Sequence, residues 1–180
     1  SIASSLEWEK LRKLYYKRNR FALDGLLRGD DAFSEIFQTI EDALAAFDSH
    51  RYGELYSLLS IQHSKNDDKF SDPHQYKLHF SQVIEKLRML CRTATIGQVL
   101  DHAWDNQLTP KTSRITDLED RSRSDDKIRI FLDKLRSTPY TEVSALYRYL
   151  NNETPFSTKH GTKGEEYDNV VVVIDDASWR

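Results

Sequence analysis

The chain has 180 residues and a formal net charge of −3, with 26 basic and 29 acidic side chains. This balance excludes a chain-wide electrostatic attraction to nucleic acid or to membrane surfaces, so any such affinity has to be local. Charged residues make up 31% of the chain and only 6 Gly and 4 Pro occur, while 9 Tyr, 8 Phe and 3 Trp supply a core, which excludes a disordered chain.

The cellular location follows from cysteine usage and from the apolar runs. Cys91 is the single cysteine, which excludes an internal disulfide framework and favours a reducing compartment. No apolar run reaches membrane-spanning length, and the amphipathic start is unlike a signal peptide. We therefore predict a cytoplasmic protein with no membrane partner. The start also lacks an initiator Met, which suggests a piece of a longer chain.

The first third of the chain predicts three helices. Two are expected near 5–27 and 50–62. Between them, apolar residues recur at steps of three and four, which places them on one helical stripe. The residues of this stripe are Phe33, Ile36, Phe37, Ile40, Leu44 and Phe47.

Two further helices are predicted over 72–91 and 95–104. In the first, Asp72 is placed to cap the helix and Pro73 to occupy its first position. In the second, Thr95 and Gln98 have the spacing of a capping box. The inward residues are expected to be Tyr76, Phe80, Val83, Ile84, Leu87, Leu90 and Cys91 in the first helix, and Ile96, Val99, Leu100, Ala103 and Trp104 in the second.

The stretch from 106 to 124 is polar and without period, which predicts a long surface loop or a partly disordered one. Short helices are expected after it, at about 125–136 and 140–151. The sequence up to residue 152 thus predicts a multi-helix bundle, mainly α in class, with about seven helices and no strand. Such a bundle does not by itself indicate a function.

A basic cluster lies near the amino end, interleaved with Leu11, Leu14, Tyr15 and Tyr16. The interleaving favours a solvated helix face, with contact to phosphates as the alternative. The cluster consists of Lys10, Arg12, Lys13, Lys17, Arg18 and Arg20.

Other residue types that often mark sites are interpreted as structural. His74 and His79 do not share a helix face, and with one cysteine in the chain they predict no zinc site. Trp8 and Trp104 are predicted to be core residues rather than platforms for stacked bases.

The pattern changes after Asn152. A helix-breaking segment and a Gly-containing polar loop lead into Val170–Ile174, five consecutive β-branched residues that are followed by Asp175 and Asp176. Such a run does not alternate, which predicts a strand buried on both faces, as in a parallel sheet. The sequence contains no second strand of this kind. The sheet is therefore expected to lie in parts of a parent protein outside this sequence.

Residues 157–170 resemble motif V of the UvrD/Rep-type superfamily 1 DNA helicases. The family pattern is Thr, then His, two variable residues, Lys-Gly, a variable residue, Glu and an aromatic residue before an apolar strand. Here these places are filled by Thr158, His160, Lys163, Gly164, Glu166 and Tyr167. Glu165 stands where the family usually has Leu, which indicates a divergent branch.

The resemblance implies a domain organisation. In this family a helical insertion interrupts the second RecA-like domain shortly before motif V. Residues 1–152 would then be the helical insertion domain, and 153–180 a piece of the second RecA-like domain, with a short β segment belonging to an incomplete α/β fold.

The resemblance also implies two roles within one loop. The DNA-binding residues would be Thr158, Lys159 and His160, and the nucleotide-coupling residues would be Lys163, Gly164 and Glu166. Hydroxyl, ammonium and imidazole groups suit contacts with phosphates and bases. The loop would thereby couple single-strand DNA contact to the ATP state.

The implied parent is an ATP-dependent DNA helicase or translocase that uses ATP and magnesium. Its partners would be single-stranded or partly duplex DNA and a nuclease or repair protein. This sequence contains no GxxxxGK[ST] phosphate loop and no upstream acidic strand end for magnesium. We therefore expect the chain alone to be inactive, with no catalytic residue, no metal site and no cofactor, and we interpret Asp175 and Asp176 as strand-end residues.

Two alternatives from other classes stay open. One is a helicase-like subunit of a nuclease or phage-defence complex, in which the same motif serves another output. The other is a non-enzymatic helical protein-interaction module whose tail resembles motif V by coincidence.

Overall fold

The structure, a computed structural model, describes residues 7–59 and 73–151. Nine α-helices lie in these two ranges, and their only β pairing is an isolated bridge between Thr95 and Pro139. The helices are α1 (Glu9–Arg18), α2 (Arg20–Arg28), α3 (Ser34–Asp48), α4 (Tyr52–Leu58), α5 (Pro73–Thr93), α6 (Ile96–Asp105), α7 (Ser113–Ser122), α8 (Asp126–Ser137) and α9 (Thr141–Leu150).

The described helices share one hydrophobic core. The last two helices organise it, because α8 packs against α1, α6 and α7, while α9 packs against α1, α3 and α5. The largest fully buried side chains come from most of the helices and include Tyr15, Ile40, Leu55, Ile84, Leu100, Ile115 and Tyr140. As a result, the first helix of the described chain is fixed against the last two.

Two helix junctions pair with each other at the centre of the fold. The backbone N–H of Ile96 donates to Thr138 O at 2.8 Å, and that of Tyr140 donates to Ala94 O at 3.0 Å. The α5–α6 junction is thereby bonded to the α8–α9 junction. These two hydrogen bonds satisfy backbone groups that would otherwise be orphaned at the helix ends.

The close crossing of α6 and α8 requires a glycine. A Cβ atom at Gly97 would lie 3.0 Å from the carbonyl oxygen of Arg136 and 3.1 Å from its Cβ. Both are tighter than ordinary van der Waals contacts, and a backbone oxygen has little freedom to move. Gly97 therefore sets how closely the two helices approach.

Most predicted helices are confirmed. α3, α6, α8 and α9 lie where the apolar periodicity placed them, α5 begins at Pro73, and α4 begins inside the predicted 50–62 segment. The capping box of α6 is also confirmed, because Thr95 N donates to Gln98 Oε1 at 3.0 Å and Gln98 N donates to Thr95 Oγ1 at 3.4 Å.

The single helix predicted over 5–27 is wrong in one respect, since the chain forms two helices there. Asn19 separates α1 from α2 with extended backbone, and its side chain accepts a hydrogen bond from Phe21 N at 2.8 Å. An Asn side chain in this position caps a new helix instead of continuing the old one. α2 then ends at Gly29, whose φ of 80° is readily adopted only by glycine.

The long loop predicted over 106–124 is also wrong, because α7 occupies most of its second half. Thr112 caps the helix by accepting a hydrogen bond from Ile115 N at 3.4 Å. Ile115 and Leu118, one turn apart, are buried where α7 packs against α8. Two apolar residues are too few to give a periodic pattern, but they are enough to anchor a short helix.

The mainly α class is confirmed for the described residues, and their helices include none that is long and apolar enough to cross a membrane. The predicted cap Asp72 and the predicted strand Val170–Ile174 lie outside the described residues. The proposed boundary at residue 152 follows directly after α9.

Candidate functional site

The residues for which the resemblance implied DNA and nucleotide contact lie outside the described part of the chain. They are Thr158, Lys159, His160, Lys163, Gly164 and Glu166. The candidate site within the described part is a different feature, a groove between α1 and α8.

This α1–α8 groove has a volume of about 650 Å³. Apolar side chains form its floor, and cationic side chains surround them. The apolar residues are Leu14, Ile128, Ile130, Phe131 and Pro139, and the cationic residues are Lys10, Lys13, Lys17, Arg18, Lys127 and Lys134.

Helical spacing explains how α1 supplies one wall. Lys10, Lys13, Leu14 and Lys17 recur at steps of three, one and three, which places them on a single face of the helix. The adjacent face carries Leu11 and Tyr15, which are fully buried. Burial of that face directs the lysines and Leu14 toward the groove.

α8 supplies the opposite wall by the same rule. Lys127, Ile130, Phe131 and Lys134 recur at steps of three, one and three. Ile130 is 49% exposed, although the buried stripe of α8 takes up its other large aliphatic residues. An exposed isoleucine between two lysines gives the groove an accessible apolar centre.

A carboxylate from α9 fixes the start of α1. Trp8, at the N-cap, makes no side-chain capping bond. Instead, the buried Glu142 accepts a hydrogen bond through Oε2 from the backbone N–H of Leu11 at 2.7 Å. Glu142 therefore satisfies one of the orphan donors of α1 from another helix and holds the lysine-bearing wall in place.

Phe131 at the groove floor is already engaged by neighbouring side chains. Tyr15 packs edge-on against its ring at 5.2 Å between centroids, and the Arg18 guanidinium lies 4.4 Å from the ring centroid. The Tyr15 hydroxyl donates to Asp31 Oδ1 at 2.8 Å. Burial, together with the Asp31 charge, raises the pKa of Tyr15 well above its ordinary value, so this hydroxyl stays protonated.

The cations of the groove are only partly neutralised. Lys13 pairs with Glu9 at 2.8 Å, and this bond lowers the pKa of the Glu9 carboxyl. Arg18 approaches Asp31 at 3.9 Å. The exposed ammonium groups with no ion pair to any described residue are those of Lys10, Lys17, Lys127 and Lys134. The groove thus combines an apolar floor with an excess of positive charge.

A second cavity, of about 360 Å³, lies on the other side of α8 and serves the fold. Its charged groups neutralise one another, because Arg136 pairs with Asp101 at 2.7 Å and Lys111 pairs with Glu119. Lys111 also lies 4.7 Å from the ring centroid of Trp104. Little charge is left there for a ligand.

Side chains of nucleophilic type in the core are not available for chemistry. Cys91 is buried, and its burial raises the pKa of the thiol far above neutrality, so the reactive thiolate does not form. Tyr140 beside it is fully buried. Within 7–59 and 73–151, no group of three or more His, Cys, Asp or Glu side chains could hold a metal ion.

The basic cluster seen in the sequence separates into different environments. Lys10, Lys13 and Lys17 are exposed on the groove, whereas Arg12 has a buried Nε without a hydrogen-bond partner in the described part. The Arg20 side chain lies outside the described part. Trp8 is buried, as predicted, and Trp104 is half-buried.

Sequence reasoning missed the α8 half of the groove. The spacing of Lys127, Ile130 and Lys134 places an isoleucine between two lysines on the polar face of the helix, but a single exposed apolar residue is too common to indicate a site. Its pairing with α1 was not visible in the sequence, since the two helices are far apart along the chain.

Comparison with protein families, with curated proteins and with solved structures finds no match to this chain.

Proposed function

We propose that the chain is part of a UvrD/Rep-type superfamily 1 DNA helicase. The observation that carries the proposal is an ordered set of residues in front of an apolar run, namely Thr158, His160, Lys163, Gly164, Glu166 and Tyr167. In this proposal, residues 1–152 are the helical insertion domain and 153–180 belong to the second RecA-like domain. The all-α character of 73–151, directly before this segment, supports the division.

The proposed mechanism is a coupling of two ligands by one loop. His160, with Thr158 and Lys159, contacts the single DNA strand, and Glu166, with Lys163 and Gly164, faces the nucleotide. A loop that touches both ligands changes the affinity for one when the other binds. ATP, magnesium and the chemistry of hydrolysis belong to the parent helicase, because this sequence contains no phosphate loop.

The test is a split phenotype in the parent helicase. His160→Ala should weaken single-strand binding and DNA-stimulated hydrolysis by about 1–3 kcal/mol, the range for one lost base or phosphate contact, while basal hydrolysis stays close to wild type. Glu166→Ala should leave DNA affinity intact and lower the number of base pairs unwound per ATP. DNA affinity, ATPase rate and unwinding rate are measured for each variant.

A matched control comes from the helical part. Lys86 is exposed on α5 outside the α1–α8 groove, so Lys86→Ala should change none of the three quantities. If both motif variants lose all three quantities together, or lose none, the coupling role is wrong. If the isolated chain binds ATP with micromolar affinity in calorimetry, the assignment to a part lacking the phosphate site is wrong.

A further inference from the structure

We propose that the α1–α8 groove binds an acidic amphipathic helix of a partner protein. Described residues line both walls of the groove, and the proposal does not rest on the helicase assignment. It follows from three properties of the groove: its accessible apolar floor, its uncompensated lysines and the burial of Phe131, the one aromatic side chain among its described lining residues.

The apolar floor matches the apolar face of a helix. Ile130 is 49% exposed and Leu14 is half-buried, and each lies on the groove-facing side of its own helix. Helices dock in grooves through apolar anchors at positions i, i+3, i+4 and i+7. These two side chains give a docked helix an aliphatic strip on which to place such anchors.

The positive charges of the groove indicate that the partner helix carries acidic residues beside its apolar stripe. Lys10 and Lys17 on one wall and Lys127 and Lys134 on the other are exposed and lack ion pairs with described residues. Carboxylates along both edges of a docked helix would meet these ammonium groups. Such rim charges accelerate association and select the partner more than they tighten the complex. The complementary ligand is therefore apolar along one stripe and acidic beside it.

A nucleic acid fits the same groove less well. Single-stranded binding sites depend on exposed aromatic rings on which bases stack. Phe131 is the one aromatic residue among the described groove residues, and it is only 4% exposed and already covered by the Arg18 guanidinium. Among the groove's cations, those without an ion pair to a described residue are all lysines, whereas the planar fork of arginine is the group best suited to phosphate recognition. The floor offers aliphatic contact, which favours a peptide.

The test uses fluorescence anisotropy with three labelled probes. The first is a designed peptide of about 18 residues, roughly five helical turns, with Leu at helical spacing and Glu elsewhere. The second has the same composition in scrambled order, and the third is single-stranded oligothymidylate. We expect the amphipathic peptide to bind in the micromolar range and at least about tenfold tighter than either other probe.

Substitutions locate the site. Ile130→Asp should weaken peptide binding at least about tenfold, since it places a charge at the centre of the contact. The matched control is Leu78→Asp on α5, where the side chain is 51% exposed and outside the groove. Circular dichroism verifies the fold of each variant. Ile130→Ser provides the same comparison without a new charge and should weaken binding in the same direction.

Charge reversal tests the lysines separately. The double variant Lys17→Glu with Lys127→Glu should bind the acidic peptide more weakly and bind a peptide with Lys in place of Glu more tightly. The control is the α5 double variant Lys77→Glu with Lys86→Glu, which should change neither affinity. Four results overturn the proposal: no peptide binding at about 100 μM, equal binding of the scrambled peptide, tighter binding of oligothymidylate that the lysine variants abolish, or self-association of the chain that Ile130→Asp abolishes.

Discussion

At the scale of single residues, two buried tyrosines differ in the hydrogen bonding of their hydroxyl groups. Tyr15 and Tyr140 are both 0% exposed. The Tyr15 hydroxyl donates to Asp31, which also accepts a hydrogen bond from Phe33 N at 3.0 Å. The Tyr140 hydroxyl lies beside Glu41 and Cys91 without a well-aligned hydrogen bond to a described residue. A satisfied buried hydroxyl stabilises a fold, and an unsatisfied one costs free energy.

This contrast gives a prediction about phenylalanine substitutions. Tyr15→Phe should lower the free energy of unfolding by about 1–2 kcal/mol, because Asp31 loses its donor. Tyr140→Phe should cost less than Tyr15→Phe, because its buried hydroxyl has no well-aligned hydrogen bond to a described residue. Urea unfolding of the two variants beside the wild type measures both changes. Equal losses in the two variants would contradict this account of the core.

A second residue-scale prediction concerns Glu41. Burial raises the pKa of its carboxyl from the ordinary value near 4.5, partly opposed by a hydrogen bond from the Ser144 hydroxyl at 2.8 Å. The folded state therefore keeps this proton to higher pH than the unfolded state. Ionisation of Glu41 costs stability as the pH rises above the unfolded pKa, and the cost is absent below it.

Glu41→Gln should accordingly raise the unfolding midpoint at about pH 7, and the advantage should disappear near pH 4. The amide oxygen can still accept from Ser144, so the variant removes the charge and keeps the bond. Glu35→Gln, exposed on the same helix, provides the control and should show no such pH-dependent difference. A gain at neutral pH that persists undiminished in acid would show that charge burial is not its cause.

At the scale of helices, the sequence predicts what depends on neighbouring residues. The capping box of Thr95 and Gln98 was visible because both partners lie within one turn, and α3 was visible because its apolar stripe covers four turns. The break at Asn19 and the short α7 were missed, because a capping side chain and two buried residues are weak signals within a polar stretch. The groove was missed for another reason: its walls meet only after the chain has folded.

Helix α1 depends on a bond that no local pattern predicts, the one between Glu142 and Leu11 N. Glu142→Ala should lower the free energy of unfolding by about 1–3 kcal/mol, because it leaves a buried donor at the start of α1 unsatisfied. Glu142→Gln should cost less, since its side-chain oxygen can still accept. Thermal unfolding measures both, and Glu35→Ala is the exposed control. If alanine and glutamine cost the same, the hydrogen bond is not the source of the effect.

At the scale of the whole molecule, the first described helix packs against the last two. α1 packs against both α8 and α9, so the first and last described helices belong to one core. Because one core includes helices from both ends of the described chain, we expect these helices to unfold cooperatively. We therefore expect the helical part to fold without the segment that follows it.

The last prediction compares the full chain with one that ends at Asn151. The shortened chain should keep its helical circular dichroism and cooperative unfolding, because α9 ends at Leu150. The full chain also carries the apolar run Val170–Ile174, for which we predict sheet neighbours outside this sequence. We expect an apolar strand without sheet neighbours to be buried against the helical part or against a second copy of the chain.

The full chain should therefore unfold at higher temperature or associate with increasing concentration, and Val172→Asp in the full chain should remove either effect. Calorimetry and gel filtration at several concentrations measure both properties. Identical behaviour of the two chains would show that these residues are not buried here, and loss of cooperative unfolding in the shortened chain would show that the helices need the segment beyond Asn151.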